Sequence, residues 1–166
     1  MNSLQIEAAL ETLRVNAKVF AANRLPNTLS TPCALVINTD PDTRPGSHWV
    51  AVFIDKYKNG EYFDSYGFPP LVESHTKFLT TSCKKWIHNK TGLQSYNTTV
   101  CGQYCLLFLY FKVHGRSMRE FLQIFPGPPL MNDKIIVKVF NKLFKGVGRK
   151  KLPAYPKVQG CSCRRF

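Results

Sequence analysis

Cys101-Gly-Gln-Tyr-Cys-Leu-Leu-Phe-Leu-Tyr-Phe111 is apolar on every side, with no polar face along its length. A helix of that kind is sunk in the middle of a domain and has to be covered from several directions. The covering elements stand mostly before it. Residues 34–38 form a short buried run, and residues 48–55 are dominated by β-branched and aromatic side chains, so both predict strands. Lys58-Asn59-Gly60 is a hairpin turn signal, which predicts that residues 61–65 return antiparallel to the preceding strand. Residues 4–20 carry Leu4, Ile6, Leu10, Leu13, Val15 and Phe20 near helical spacing, predicting an N-terminal helix capped near Ser3. A turn-rich stretch over 23–32 and the loop Asp40-Pro-Asp-Thr-Arg-Pro-Gly46 separate these elements. Beyond Pro69-Pro70, helices are expected over 71–87, 117–125 and about 132–144. The class is α+β: a mixed sheet packed by helices around one central buried helix.

The 166 residues, 44% hydrophobic, suffice for one domain over 1–144 followed by a basic tail over 145–166. That tail holds seven basic residues and no acidic one, and Pro153 and Pro156 make it extended rather than helical. No run approaches the roughly 18 apolar residues that cross a bilayer, and Glu7 and Glu11 stand where a secretory signal carries basic and apolar residues. The expectation is a soluble, monomeric, intracellular protein that is not secreted and has no membrane partner. Its formal charge of +13, from 23 Lys and Arg against 10 Asp and Glu, points to a polyanion, with DNA the first candidate. A merely solvated basic surface is the plainer account of the same charge. Six cysteines without a secretory route are expected as free thiols, and their C-x3-C and C-x-C spacings give no zinc pair, so no metal is expected. The sequons at Asn89 and Asn97 carry little meaning in such a chain.

A thiol attacks a carbonyl as the thiolate, which requires a lowered pKa, a base and a group to hold that base. Cys101 opens the buried helix, where unpaired amides and the helix dipole favour negative charge, and Gly102 leaves the backbone beside it clear. Cys105, one turn later, is expected to be an ordinary core residue facing inward with Leu109. His48 opens a strand after a turn, and Asp64 closes the partner strand, so the hairpin brings the two to one end of the sheet. Taken singly each has a plainer account: a half-buried histidine before Trp49, and a turn-capping aspartate. Trp49 is weighed both as a flank to the His48 ring and as core.

Together, Gly46-Ser-His-Trp-Val-Ala-Val-Phe53, Tyr62-Phe-Asp-Ser-Tyr-Gly-Phe68, Gln94 and Cys101-Gly-Gln-Tyr-Cys-Leu-Leu-Phe-Leu109 resemble the adenovirus protease family. That family shares a clan, and a papain-like fold, with the SUMO and ubiquitin-like proteases. The resemblance covers about residues 20–109. Gln94 stands seven positions before Cys101, the adenoviral spacing, and Tyr66-Gly67-Phe68 also resembles that branch. Asp64 departs from the glutamate of the mammalian adenoviral enzymes. The short chain is similar in size to a protease of a Polinton (Maverick) or adintovirus-like element.

The resemblance implies a viral-type cysteine endopeptidase that processes capsid or core precursor polypeptides near small residues such as Gly, in the virion and host nucleus. Cys101 is then the nucleophile, His48 its base, Asp64 the orienting acid and Gln94 an oxyanion donor. A SUMO or ubiquitin-like deconjugating protease is the alternative, and a non-catalytic basic nucleic-acid-binding protein a further one. The resemblance also implies activation by DNA and by a basic peptide strand, either separate or the chain's own tail. In that arrangement Cys83 pairs with Cys161 or Cys163, and residues from about 158 to 166 add a strand to the sheet.

Overall fold

The computed structural model describes residues 1–145. Its centre is a five-stranded mixed sheet in the order β1 (Asn16–Phe20), β2 (Cys33–Asn38), β3 (Trp49–Ile54), β4 (Asn59–Phe63) and β5 (Lys85–His88). The central pairs are antiparallel, β2 with β3 and β3 with β4, whereas the edge strands β1 and β5 lie parallel to β2 and β4. All six residues of β2 are buried, because both faces of the sheet are covered. Alternation divides them: Ala34 and Val36, with Trp49 and Ala51 of β3, face the larger core, and Cys33, Leu35 and Ile37, with Val50, Val52 and Ile54, face the smaller one.

The helices are α1 (Ser3–Leu10), α2 (Glu73–Ser82), α3 (Cys101–Val113), α4 (Met118–Leu122) and α5 (Pro129–Leu143). Phe78 and Leu79 of α2 belong to the smaller core, while α1, α3, α4 and α5 build the larger one. As its sequence predicts, α3 is enclosed. Six consecutive residues, Tyr104 to Leu109, are at 0% exposure, and the Phe108 ring stacks on Phe63 at 4.8 Å between centroids.

Three expectations need correction. The helix expected over 4–20 is α1 and a 3₁₀ turn, capped by Asn2 through a capping box with Gln5. It breaks at Arg14, which takes a left-handed φ of 53°, and the remaining residues pair as β1. The helix expected over 71–87 ends at Ser82, after which the extended Cys83 leads into β5; pairing with β4 outweighs helical spacing for residues such as Trp86 and Ile87. The hairpin turn lies earlier than expected, so that the returning strand starts at Asn59, two residues before the expected 61. Lys58 (φ 67°) makes the reversal, and the Asp55 carboxylate accepts from the Tyr57 and Asn59 amides. Gly60 therefore sits inside β4, where a Cβ would stand 2.5 Å from Cys83 Sγ, so glycine is what lets α2 end against the sheet.

His75 of α2 is fully buried, its Nε2 3.3 Å from the Asn38 carbonyl and its Nδ1 without a hydrogen-bond partner. Burial holds its pKa down at about 4 from an ordinary 6.5. The unfolded chain therefore takes up this proton first, so the neutral ring's stability is intact above pH 6.5 and is lost as pH falls toward 4. The full loss is roughly 3 kcal/mol. Urea unfolding at pH 7 and pH 4.5 is expected to show most of it in the wild type. His75→Gln, whose amide can still donate to Asn38, is expected to be much less acid-sensitive.

Candidate active site

His48 immediately precedes β3 and Asp64 immediately follows β4, so the β3–β4 hairpin delivers both to one end of the sheet. Thr39 N donates to the His48 carbonyl at 3.0 Å, extending the β2–β3 ladder to this residue. The loop reaches it through Gly46, whose φ of 84° and close approach to Asn38 (2.6 Å from a Cβ to Nδ2) leave no room for a side chain.

The His48 Nε2 lies 2.9 Å from Asp64 Oδ1, with the two side chains only 13% and 6% exposed. An ionised carboxylate only accepts, so Nε2 carries the hydrogen and Nδ1 is the ring nitrogen whose lone pair can accept a proton. Asp64 is itself fixed: its Oδ1 accepts from Tyr66 N at 2.8 Å. Asn89 clamps its backbone, accepting from Asp64 N at 2.9 Å and donating to Asp64 O at 2.7 Å. The sequence gives Asn89 only as a glycosylation sequon, yet it is 2% exposed and pairs with a peptide 25 residues away. Tyr66, rather than Trp49, flanks the imidazole, stacked at 4.8 Å, and Tyr96 stacks on Tyr66 at 4.9 Å. Trp49 is core, 6% exposed, its indole donating to the Met1 carbonyl at 3.1 Å.

Cys101 is the first residue of α3, which no side chain caps and which has no acidic residue in its first turn. The first-turn amides and the positive end of the helix dipole therefore favour a thiolate there. One turn on, the Cys105 Sγ donates to the Trp49 carbonyl at 3.2 Å, which anchors the start of α3 against the end of β3 that carries His48. Burial drives the Cys105 thiol well above its ordinary pKa, so it stays protonated and structural, as expected.

Gln94, 3% exposed, sits on the loop leading to α3. Its Oε1 accepts from Ser65 Oγ at 2.8 Å, and its Nε2 donates to Thr98 O at 2.9 Å, with Thr98 Oγ1 farther off at 3.4 Å. Ser65 also receives Leu93 N and Gln94 N on its carbonyl, so the residue after Asp64 holds the Gln94 backbone and side chain together. An oxyanion role for Gln94, as the sequence resemblance implies, predicts that Gln94→Ala lowers kcat about 10²-fold with KM little changed. Steady-state kinetics on a cleavable peptide checks this; a pure KM effect makes Gln94 a binding residue.

Cys83 is a free thiol at the end of α2, half-buried in the smaller core, its pKa pushed up to about 11 by burial and then by Asp55. Cys161 and Cys163, the strand expected over about 158–166 and the basic tail lie outside the described residues. Among the described residues there is no group of three or more His, Cys, Asp or Glu that could hold a metal ion, and no helix is long and apolar enough to cross a membrane.

No family model matches the sequence. It is 28% identical over 130 residues to a cysteine protease of African swine fever virus, a match covering 64% of this chain and 45% of that protein. The chain thus spans about half the length of the curated relative it matches. The structure is similar to the crystal structure of the pS273R protease of the same virus, with a TM-score of 0.57, 20% identity and coverage of 86% of this chain and 64% of that one. It is also similar to the SUMO protease Ulp1 with its catalytic cysteine oxidised to a sulfinic acid, at a TM-score of 0.52 and 16% identity over 89% of this chain and 78% of that one. These likenesses establish the fold, the cysteine-protease-like α+β architecture expected from the sequence.

Proposed function

We propose that this chain is a cysteine endopeptidase in which Cys101 is the nucleophile. The observation that carries the reading is the His48–Asp64 hydrogen bond at the sheet end against which the start of α3 is anchored. In the reaction His48 Nδ1 takes the Cys101 proton, and the thiolate adds to the scissile carbonyl. The Cys101 amide and Gln94 Nε2 hold the oxyanion, and the imidazolium then protonates the leaving amine. Water, deprotonated by His48, hydrolyses the thioester and restores the thiol. Asp64 keeps the ring oriented and stabilises its cationic form.

The setting we propose is viral: maturation of capsid or core precursors in the virion and host nucleus, by cleavage near small residues such as Gly, with an adenovirus-like enzyme of a Polinton or adintovirus-like element as the model. The likeness to a viral cysteine protease supports it. Fold likeness to Ulp1 supports the second reading, removal of a SUMO or ubiquitin-like modifier. The two are separated by offering the protein a short Gly-containing peptide and the same peptide fused to a folded modifier. Cleavage of the free peptide at comparable kcat/KM supports the endopeptidase; cleavage of the fusion alone supports deconjugation.

The +13 charge supports a DNA partner. Affinity for duplex DNA is expected to fall steeply between about 50 and 200 mM salt, through counterion release. Binding by fluorescence anisotropy that ignores salt, or none at the low end, contradicts it. Activation by a strand from the chain's own tail or a separate peptide, tied to Cys83 by Cys161 or Cys163, remains part of the proposal. Non-reducing peptide mapping tests it.

A further inference from the structure

Asp133 lies on α5, far from the catalytic residues in sequence, and is 5% exposed. Its Oδ2 accepts from Ser95 N at 3.1 Å and from Thr98 Oγ1 at 2.8 Å, and its Oδ1 accepts from Tyr104 OH at 3.0 Å. Among the described residues no lysine, arginine or histidine pairs with it. A buried carboxylate with only neutral donors is a costly way to fill space, and an apolar side chain would pack there more cheaply. What the carboxylate does instead is bind both ends of a four-residue turn. Thr98 N donates to Ser95 O, and the Ser95 amide and the Thr98 hydroxyl both donate to Asp133.

That turn carries the partner of the oxyanion amide. Gln94 precedes it directly, and Gln94 Nε2 donates to the Thr98 carbonyl. The Thr98 hydroxyl has one hydrogen, which the carboxylate at 2.8 Å takes in preference to the neutral Ser95 carbonyl at 3.1 Å. Thr98 is thereby fixed in rotamer and in backbone position. Asn132, beside Asp133, adds a longer contact from its Nδ2 to Leu93 O at 3.4 Å, on the other side of Gln94. The far end of the Gln94 side chain is held by Ser65, from the strand side. The amide thus hangs between the sheet, through Ser65, and α5, through Asp133 and Thr98.

We infer that Asp133 is a positioning residue for the oxyanion donor, acting through Thr98 on Gln94. This rests on the protease reading and on the role given there to Gln94. A group built to meet charge that develops only in the transition state has to be held before the charge appears, because reorganising it during the reaction forfeits the gain. The defect on loosening it therefore falls on kcat and leaves KM alone.

The test is a double-mutant cycle on the full chain, with turnover normalised to the thiol titre of Cys101. Asp133→Asn and Thr98→Val are each expected to lower kcat about tenfold with KM within twofold of wild type. Thr98→Ser, which keeps the hydroxyl, is expected to restore it. In a Gln94→Ala background, adding either substitution is expected to change kcat less than twofold, because the group being positioned is gone. Glu61→Gln, which weakens the partly buried pair with Lys112 away from the site, is the control for instability and is expected to lower the melting temperature with kcat unchanged. Equal tenfold losses with and without Gln94, or stability losses in Asp133→Asn and Thr98→Val at wild-type kcat, overturn the inference. Amide exchange at Ser95 is read in parallel and is expected to quicken at least tenfold in Asp133→Asn. If the wild type hydrolyses nothing, the protease reading has failed, while unchanged exchange at Ser95 is what sinks the Asp133–loop coupling.

Discussion

Cys101→Ala is expected to leave no measurable peptide hydrolysis while the protein still unfolds cooperatively near its wild-type temperature. The chemistry is lost entirely because no other described thiol can substitute: Cys33 and Cys83 are pushed up to about 11 by burial, and Cys105 lies well above its ordinary value. The fold survives because the change removes one sulfur from a residue that opens α3. Cys101 is 0% exposed, however, so the sulfur does fill space in the larger core, and a cost of about 1 kcal/mol is expected. Cys101→Ser separates the two effects. It refills the volume with a hydroxyl of far higher pKa, so stability is expected to return and turnover is not. Hydrolysis by Cys101→Ala at the wild-type rate would remove the nucleophile from the account.

His48→Ala is the second large effect, a fall in kcat of roughly 10⁴- to 10⁶-fold, on the scale set by removal of a single member of other catalytic triads. The expectation rests on geometry. Nε2 is engaged by Asp64, the ring is packed under Tyr66, and both hold Nδ1 at one angle. Losing the ring leaves the Asp64 carboxylate with its bond from Tyr66 N, so the hairpin end is expected to stay folded. Single-turnover kinetics with a fluorogenic peptide measures the loss. A defect of tenfold or less would mean that another group takes the proton.

How much of this was legible in the sequence depends on how local each signal is. The run from Cys101 to Phe111 announces a buried helix, and its first residue is thereby placed at a helix N-terminus. His48 and Asp64 come together because one hairpin carries both, which a turn signal and two strand patterns can reveal. The edge strands were hidden for the opposite reason. β1 and β5 are half-exposed, each follows a helix, and each becomes a strand only by pairing with β2 or β4. The same limit hides the residues that steady the site. Asn89 meets Asp64 across 25 positions, and Asp133 meets Thr98 and Ser95 across 35 and 38. Nothing near an Asn in a loop or an Asp on a helix says what peptide it will clamp.

The central claim, that Cys101 is held as a reactive thiolate by His48, is tested most directly without any substrate. Wild-type protein and His48→Ala are treated with a limiting amount of iodoacetamide at pH 6, quenched over time and mapped peptide by peptide. At that pH an ordinary thiol, with a pKa near 8.5, is almost wholly protonated, and Cys33, Cys83 and Cys105, whose pKa values burial raises, more so. The account predicts that Cys101 is alkylated on the order of 10²-fold faster than the other cysteines in the wild type, and that His48→Ala abolishes the difference. Cys101 reacting no faster than Cys161 and Cys163, or reacting equally fast without His48, would contradict it.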